Sequence, residues 1–175
     1  GAQGSRKLNI PGEDNKMVES GIDFLRKVNK TENPNLISGD VVVVGGGNVA
    51  IDVARAALRS GAEKVHLYSL EQEAEMPASP EEVEEAKEEG ILLHCGWGPK
   101  EIKEDSIVFK QCVSVKDETG RFNPSYDEDV LETVQCSHVF LSIGQSIIPI
   151  QKLDVDTNPN GTIKADGTTL QTSIE

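Results

Sequence analysis

Hydrophobic positions along this chain recur in two rhythms. From residue 41 to residue 97, short apolar runs alternate with amphipathic stretches. "VVVV" (41–44) is apolar throughout, the pattern of a strand buried on both faces. A helix is predicted over Val49–Arg59, where Val49, Ala50, Val53, Ala54, Ala57 and Leu58 recur at helical spacing and form the buried side. Asn48, Asp52, Arg55 and Arg59 fall on the opposite stripe, read as mostly solvated, and Ser60-Gly61 stops the helix. "KVHLYS" (64–69) is a second strand and "ILLHCGW" (91–97) a third. Between them "SPEEVEEAKEEG" (79–90) carries Ser79 as N-cap, Pro80 in the first turn and Gly90 as terminator. Its six glutamates read as a solvated face. Short apolar strands separated by helices predict parallel pairing through βαβ crossovers.

Outside that stretch the rhythm differs. "MVESGIDFLRKVNK" (17–30) places Val18, Ile22, Leu25 and Val28 at helical spacing, so a helix is expected there. Residues 1–14 read as a surface loop and 31–40 as a turn. "SIVFKQCVSVKD" (106–117) and "VLETVQC" (130–136) alternate like antiparallel strands around an "ETGRFNPSYDED" connection (118–129). "HVFLSIG" (138–144) is apolar again and is expected to rejoin the parallel sheet. The tail, with "NPNG" (158–161) and "ADG" (165–167), reads as turns and one hairpin. The class is α/β: a parallel sheet with an antiparallel β-meander insertion.

The bend after the first valine run adds chemistry. Gly45-x-Gly47-x-x-Ala50 fits G-x-G-x-x-G/A between a strand and a helix. Gly45 allows the tight turn, and Gly47, lacking a side chain, lets backbone approach a pyrophosphate. Ala50 lets helix and strand pack closely. The pyrophosphate would sit at the helix N-terminus, where free N–H groups and the dipole favour negative charge. This context predicts a Rossmann-like three-layer NAD(P)-binding domain. Asn48, inside the turn, is a further candidate for touching the dinucleotide.

The adenosine ribose is read at the end of the second strand, about 20 residues past the glycines. A carboxylate there accepts hydrogen bonds from ribose hydroxyls, whereas arginine holds a 2′-phosphate. "LYSLEQEAEM" supplies Glu71 and Glu73, with no Lys or Arg between Lys64 and Lys87. NAD(H) is therefore expected over NADP(H), with Glu71 the better candidate. The alternative, that both glutamates are merely exposed loop residues, stays open.

Composition narrows the partners. The 175 residues carry a formal net charge of −13, which repels phosphate backbones and anionic lipid surfaces. Neither nucleic acid nor a membrane is an expected partner. The length suits a single domain, and no apolar run reaches the ~20 residues that span a bilayer. No basic-then-apolar N-terminal segment reads as a secretion signal. Cys95, Cys112 and Cys136 are three scattered thiols without CxxC spacing, which fits a cytoplasmic location. His66, His94 and His138 are read as strand residues rather than ligands, so no metal is expected. Trp97 reads as core or rim packing. No G-x-S-x-G elbow is present. Neither Tyr68 nor Tyr126 offers the Tyr-x-x-x-Lys pair of a dehydrogenase acting directly on substrate.

Together, "VVVVGGGNVAIDVARAALRSGAEKV", "EAEMPAS", "HCGWGPKEI" and "FLSIGQ" resemble the pyridine-nucleotide domain of FAD-dependent pyridine nucleotide-disulfide oxidoreductase-like proteins of the glutamate synthase small-subunit type. That group includes the related segment of dihydropyrimidine dehydrogenase. "RKLNIPGED" is similar to the stretch where such enzymes cross from FAD domain to nucleotide domain. The resemblance implies that Gly45, Gly46, Gly47, Asn48 and Val49 surround the dinucleotide, with Ile143, Gly144 and Gln145 at its nicotinamide-ribose end. For Gly144 a simple strand-ending turn is the competing reading.

Two departures matter. Paired arginines normally follow the second strand, and here Leu70-Glu71 stands in that place. The chain also ends at "TSIE", where the family continues into a segment that binds FAD. The resemblance therefore implies one dinucleotide-binding domain over 1–175, part of a longer flavoenzyme, with 1–16 and 155–175 as crossover segments to an FAD domain. Its expected role is to position nicotinamide for hydride transfer to or from FAD, with other redox subunits as further partners. By itself this stretch is expected to be inactive, and no catalytic side chain is named. The competing reading is a non-catalytic nucleotide-binding or structural module with a degenerate site.

Overall fold

The computed structural model describes residues 2–31, 35–147, 155–159 and 161–174. Residues 32–34 of the expected turn at 31–40, and Asn160 of "NPNG", lie outside them. In chain order the elements are β1 (Ala2–Ser5), β2 (Val18–Ser20), α1 (Gly21–Val28), β3 (Val41–Val44), α2 (Asn48–Arg59) and β4 (Val65–Ser69). There follow α3 (Pro80–Glu88), β5 (Leu92–Cys95), β6 (Trp97–Ile102), β7 (Ser106–Lys116), β8 (Phe122–Gln135), β9 (His138–Leu141) and β10 (Gln145–Ile147). Two compact units divide the chain: Lys7–Ile143, and Gly1–Arg6 with Gly144–Glu175.

The larger unit is built on a five-stranded parallel sheet of order β2-β9-β3-β4-β5. Residues of β3 alternate between two cores, and the valine run is buried because both faces are covered. Val41 and Val43 join Val65, Leu67 and Phe140 against Ala50, Ile51, Val53, Ala54 and Ala57 of α2. Val42 and Val44 join Tyr68, Val139 and Leu141 against Ile102, Ile107 and Phe109 of the three-stranded antiparallel sheet β6-β7-β8. The expected α/β architecture, a parallel sheet with helices plus an antiparallel meander, is thus present.

Four local expectations in this unit are corrected. Val18–Ser20 is a strand, not the start of a helix, because its backbone pairs with β9 at the sheet edge, Val18 beside Val139. The helix begins only at Gly21. The run at 91–97 is two strands, since Gly96 takes φ +77° and turns the chain into β6. Most of the expected 118–129 connection belongs to β8. Only a short turn separates the strands, closed by Asp117 N–H donating to Arg121 O (2.9 Å) and Thr119 N–H donating to Asp117 Oδ1 (2.8 Å). The polar alternation there is obscured by register shifts along β7–β8. Finally, Val49 is exposed on α2, and Ile51 fills the buried position in its place.

The polar stripe of α2 is not simply solvated either. Arg55 reaches Glu85 (3.0 Å) and Glu89 (2.6 Å), and Arg59 reaches Glu89 (2.7 Å). Two of the glutamates read as solvated therefore fasten α3 and the residue after it to α2. Hydrogen bonding from Arg55 holds the Glu89 carboxyl below its usual range.

In the smaller unit, residues 2–5 are not loop: β1 pairs antiparallel with β10, and Arg6 N–H donates to Gly144 O (3.4 Å). Thr157 and Ile163 form an antiparallel bridge, and Asp166 Oδ1 accepts from the amides of Thr168 (2.9 Å) and Thr169 (2.8 Å).

Candidate functional site

In the parallel sheet the chain leaves β3 toward β4 and β5 on one side, while β9 and β2 lie on the other. The C-terminal end of β3 beside β9 is therefore a topological switch point, where open α/β sheets bind ligands. Gly45, Gly46 and Gly47 occupy that place.

The bend is held from both neighbouring strands. Ser142 N–H donates to Val44 O (2.8 Å), and Gly45 N–H donates to Tyr68 O (2.9 Å). Gly45 takes φ +146°, and a Cβ there would collide with the Ser142 carbonyl oxygen and stand 3.3 Å from the Ala50 methyl. Both the turn and the close packing on Ala50 thus require a glycine. Gly46 has a different constraint. A Cβ on it would stand 2.8 Å from Glu71 Oε2, 3.2 Å from Ser69 Cβ and 3.3 Å from Pro77 Cδ. The segment after β4 is the wall of the bend at that point, and Ala78 N–H donates to Gly46 O (3.0 Å).

Gly47 differs from both, because a Cβ there would have nothing within 4 Å. It is the N-cap of α2 and offers no side-chain cap. Among the described residues, the amides of Gly46, Gly47, Asn48 and Val49 have no acceptor. Open space over unpaired amides at a helix N-terminus suits an anion. Val49, 37% exposed, borders the same opening. Asn48 is partly committed, since its Oδ1 accepts from Ser79 N–H (2.9 Å), the amide that opens the cap of α3. Glu82 stands where a capping-box glutamate would take that amide, and its Oε2 is buried without a partner. That cross-link between the turn and α3 was not legible from spacing.

The two candidate glutamates separate. Glu71 is half-buried with its carboxylate beside Gly46, whereas Glu73 is exposed and paired with Lys87 (2.9 Å). Leu70 points elsewhere: its Cδ2 lies 3.1 Å from where a Cβ of Gly98 would stand, on the antiparallel sheet. Met76 is buried with its Sδ 4.0 Å from Cys95 Sγ, and Trp97 packs in the meander-side core. Ile143 packs against the same core. Gly144, exposed, and Gln145, at the start of β10, belong to the smaller unit, where the Arg6 side chain lies 3.8 Å from a would-be Gly144 Cβ.

The histidines hold a constellation that spacing did not reveal. His66 Nδ1 lies 3.0 Å from His94 Nε2, and the Tyr68 hydroxyl donates to Glu132 Oε1 (2.8 Å). Only the adjacency of β4 and β5, and their cover by β8, brings these residues together. Cys112 and Cys136 are buried, Cys95 is half-buried, and all three thiols are free. No helix among the described residues is long and apolar enough to cross a membrane.

Comparison with known proteins agrees with this architecture. A family model described as pyridine nucleotide-disulphide oxidoreductase matches residues 1–175. The NADP(+)-dependent formate dehydrogenase subunit beta of Moorella thermoacetica is 37% identical over 99% of this chain, which covers 26% of that relative. The glutamate synthase [NADPH] small chain of Azospirillum brasilense is 31% identical over 82% of this chain, covering 33% of that protein. The chain thus spans about a quarter to a third of these two relatives. Among solved structures, Mycobacterium tuberculosis FprA in complex with NADPH superposes with a TM-score of 0.75 at 22% identity, over 89% of this chain and 51% of that one. Lactococcus lactis thioredoxin reductase gives 0.70 at 21% identity, over 99% of this chain and 52% of that one, a likeness of fold. With its whole length matched by the family model, the chain belongs to the pyridine nucleotide-disulphide oxidoreductase family.

Proposed function

We propose that the bend Gly45–Asn48 holds the pyrophosphate of a nicotinamide dinucleotide, NAD(H) in preference to NADP(H), within a flavin-dependent oxidoreductase. The observation that carries this reading is the open space over Gly47, with unpaired amides at the start of α2 and the Glu71 carboxylate alongside. Val49 and Ala50 shape the mouth and floor of the bend.

Glu71 supports the preference for NAD(H). Its carboxylate can accept from ribose hydroxyls, and a 2′-phosphate would meet its charge directly. Lys87 is held by Glu73 and Glu84. Relatives named for NADP(+) or NADPH make Glu71 the residue to test.

The bound nicotinamide and a flavin supply the hydride chemistry themselves. This chain positions the dinucleotide through backbone amides and excludes water through the wall of residues 70–79. FAD is carried by the remainder of a longer polypeptide, as the relatives' greater length supports, with segments 1–16 and 155–175 as the crossovers. The relatives named as subunits or chains of larger enzymes support further redox subunits as partners.

The test is titration of NADH and NADPH by calorimetry against the chain and its Glu71→Arg variant. Exchanging one charged contact moves the NADPH-to-NADH affinity ratio by about tenfold to a hundredfold toward NADPH. An unchanged ratio removes Glu71 from specificity, and absence of saturable binding of either dinucleotide defeats the whole reading.

A further inference from the structure

Two histidines that nucleotide binding leaves unused lie on the meander-facing side of the parallel sheet. His66 stands on β4 and His94 on β5, an edge strand of that sheet. The register sets His66 beside Leu92 and Tyr68 beside His94, so the histidines form a diagonal pair across neighbouring strands. Their ring centroids are 5.2 Å apart, and His66 Nδ1 faces His94 Nε2 at 3.0 Å. Both rings are half-buried, and burial pushes both below the usual histidine range.

The surroundings orient the pair. The other nitrogen of His94, Nδ1, lies 4.0 Å from Glu132 Oε1, which the Tyr68 hydroxyl already holds at 2.8 Å. The Tyr68 ring stacks flat on His94, centroids 4.3 Å apart and planes 2° apart, and on its other side against Phe109 at 3.8 Å. The two facing nitrogens share one proton in an N–H···N hydrogen bond, and an ion taking both shifts that proton to the far nitrogen of the same ring.

We propose that His66 Nδ1 and His94 Nε2 chelate one divalent transition-metal ion of the copper(II) or nickel(II) class, clipping the edge strand β5 to β4. Ligand type and geometry favour that class. Among divalent first-row ions, nitrogen ligands hold copper(II) most tightly. With metal–nitrogen bonds of about 2.0–2.1 Å, a 3.0 Å separation subtends about 95° at the ion, the angle of adjacent square-planar or octahedral positions. Magnesium and calcium prefer oxygen ligands. Among the described residues no third histidine, cysteine or carboxylate joins the pair into a larger ligand group. Water completes the shell, so the ion is exchangeable rather than a structural core element.

The experiment titrates the full chain with copper(II) at neutral pH, read by electron paramagnetic resonance. One ion per chain is expected, with splitting from two equatorial nitrogens, a result that needs no variant. His66→Asn and His94→Asn, checked for folding by circular dichroism, should each weaken binding on the order of tenfold or more. His138→Asn, on β9, should leave it unchanged. A spectrum lacking two-nitrogen splitting, retention of full affinity in either variant, or affinity no tighter than about 0.1 mM overturns the site.

Discussion

The two faces of the parallel sheet are closed by different means. On the helix side, Val41, Val43, Val65, Leu67 and Phe140 meet the small residues of α2, and the buried cluster is apolar throughout. Charge appears only at its rim, where Arg55 and Arg59 grip Glu85 and Glu89. On the meander side, stacked sheets stand about 10 Å apart, which leaves room for large planar side chains. There Tyr68, Phe109 and His94 stack, and Glu132 enters from β8 to take the tyrosine hydroxyl. The helix face keeps its ion pairs at the rim and one histidine, His138, beside Phe140. The meander face takes the His66–His94 and Tyr68–Glu132 hydrogen bonds into its packing, so two histidines titrate together there.

The sharpest way to break this contrast is to empty the helix face. Phe140 is 1% exposed and stacks on Phe24 at 4.3 Å. Phe140→Ala should cost about 3–5 kcal/mol of unfolding free energy, from lost transfer and the cavity left behind. Guanidinium denaturation measures it, and a loss under about 1 kcal/mol would mean the helices contribute little. On the meander side the matching change is smaller. Tyr68→Phe keeps the stack and removes only the hydroxyl, for about 1 kcal/mol. Glu132, 35% exposed, can turn to water in compensation. A loss as large as that at Phe140 would show that the polar contact, not the stacking, closes this face.

The same division explains what the chain made legible. The valine run, the glycine bend and the N-cap at Ser79 are local signals, each set by a few neighbouring residues, and they lie where expected. β2 was hidden because three residues of edge pairing were absorbed into a helical pattern. β8 was hidden because an exposed strand interrupted by register shifts loses clean alternation. Within the site, spacing narrowed the acid to Glu71 or Glu73, and only the fold shows Glu71 beside Gly46 with Glu73 turned to Lys87. The histidine pair had no local signal at all, since the partners are 28 residues apart and meet only through strand order.

The smallest expected effect tests whether the meander face senses protons. Burial lowers the folded-state affinity of His66 and His94 for a proton from the ordinary value near 6.5, with Lys64 adding to the effect at His66, and His66 itself adding to it at His94. Asp40 and Glu132 oppose it at His66, and Glu132 opposes it at His94. The unfolded chain therefore takes up protons first as pH falls. Stability from the neutral pair is fully present above about pH 6.5 and is lost as pH drops toward the lower folded values. Both rings keep solvent contact, so the slope is shallow. His138, also lowered by burial, contributes in the same direction from β9. With metal removed by chelator, denaturation midpoints should fall below pH 6.5 in the parent chain and fall less in a His66→Asn, His94→Asn double variant, leaving the share due to His138. Equal slopes in the two proteins would assign the acid sensitivity elsewhere, to His138 on the helix face among others.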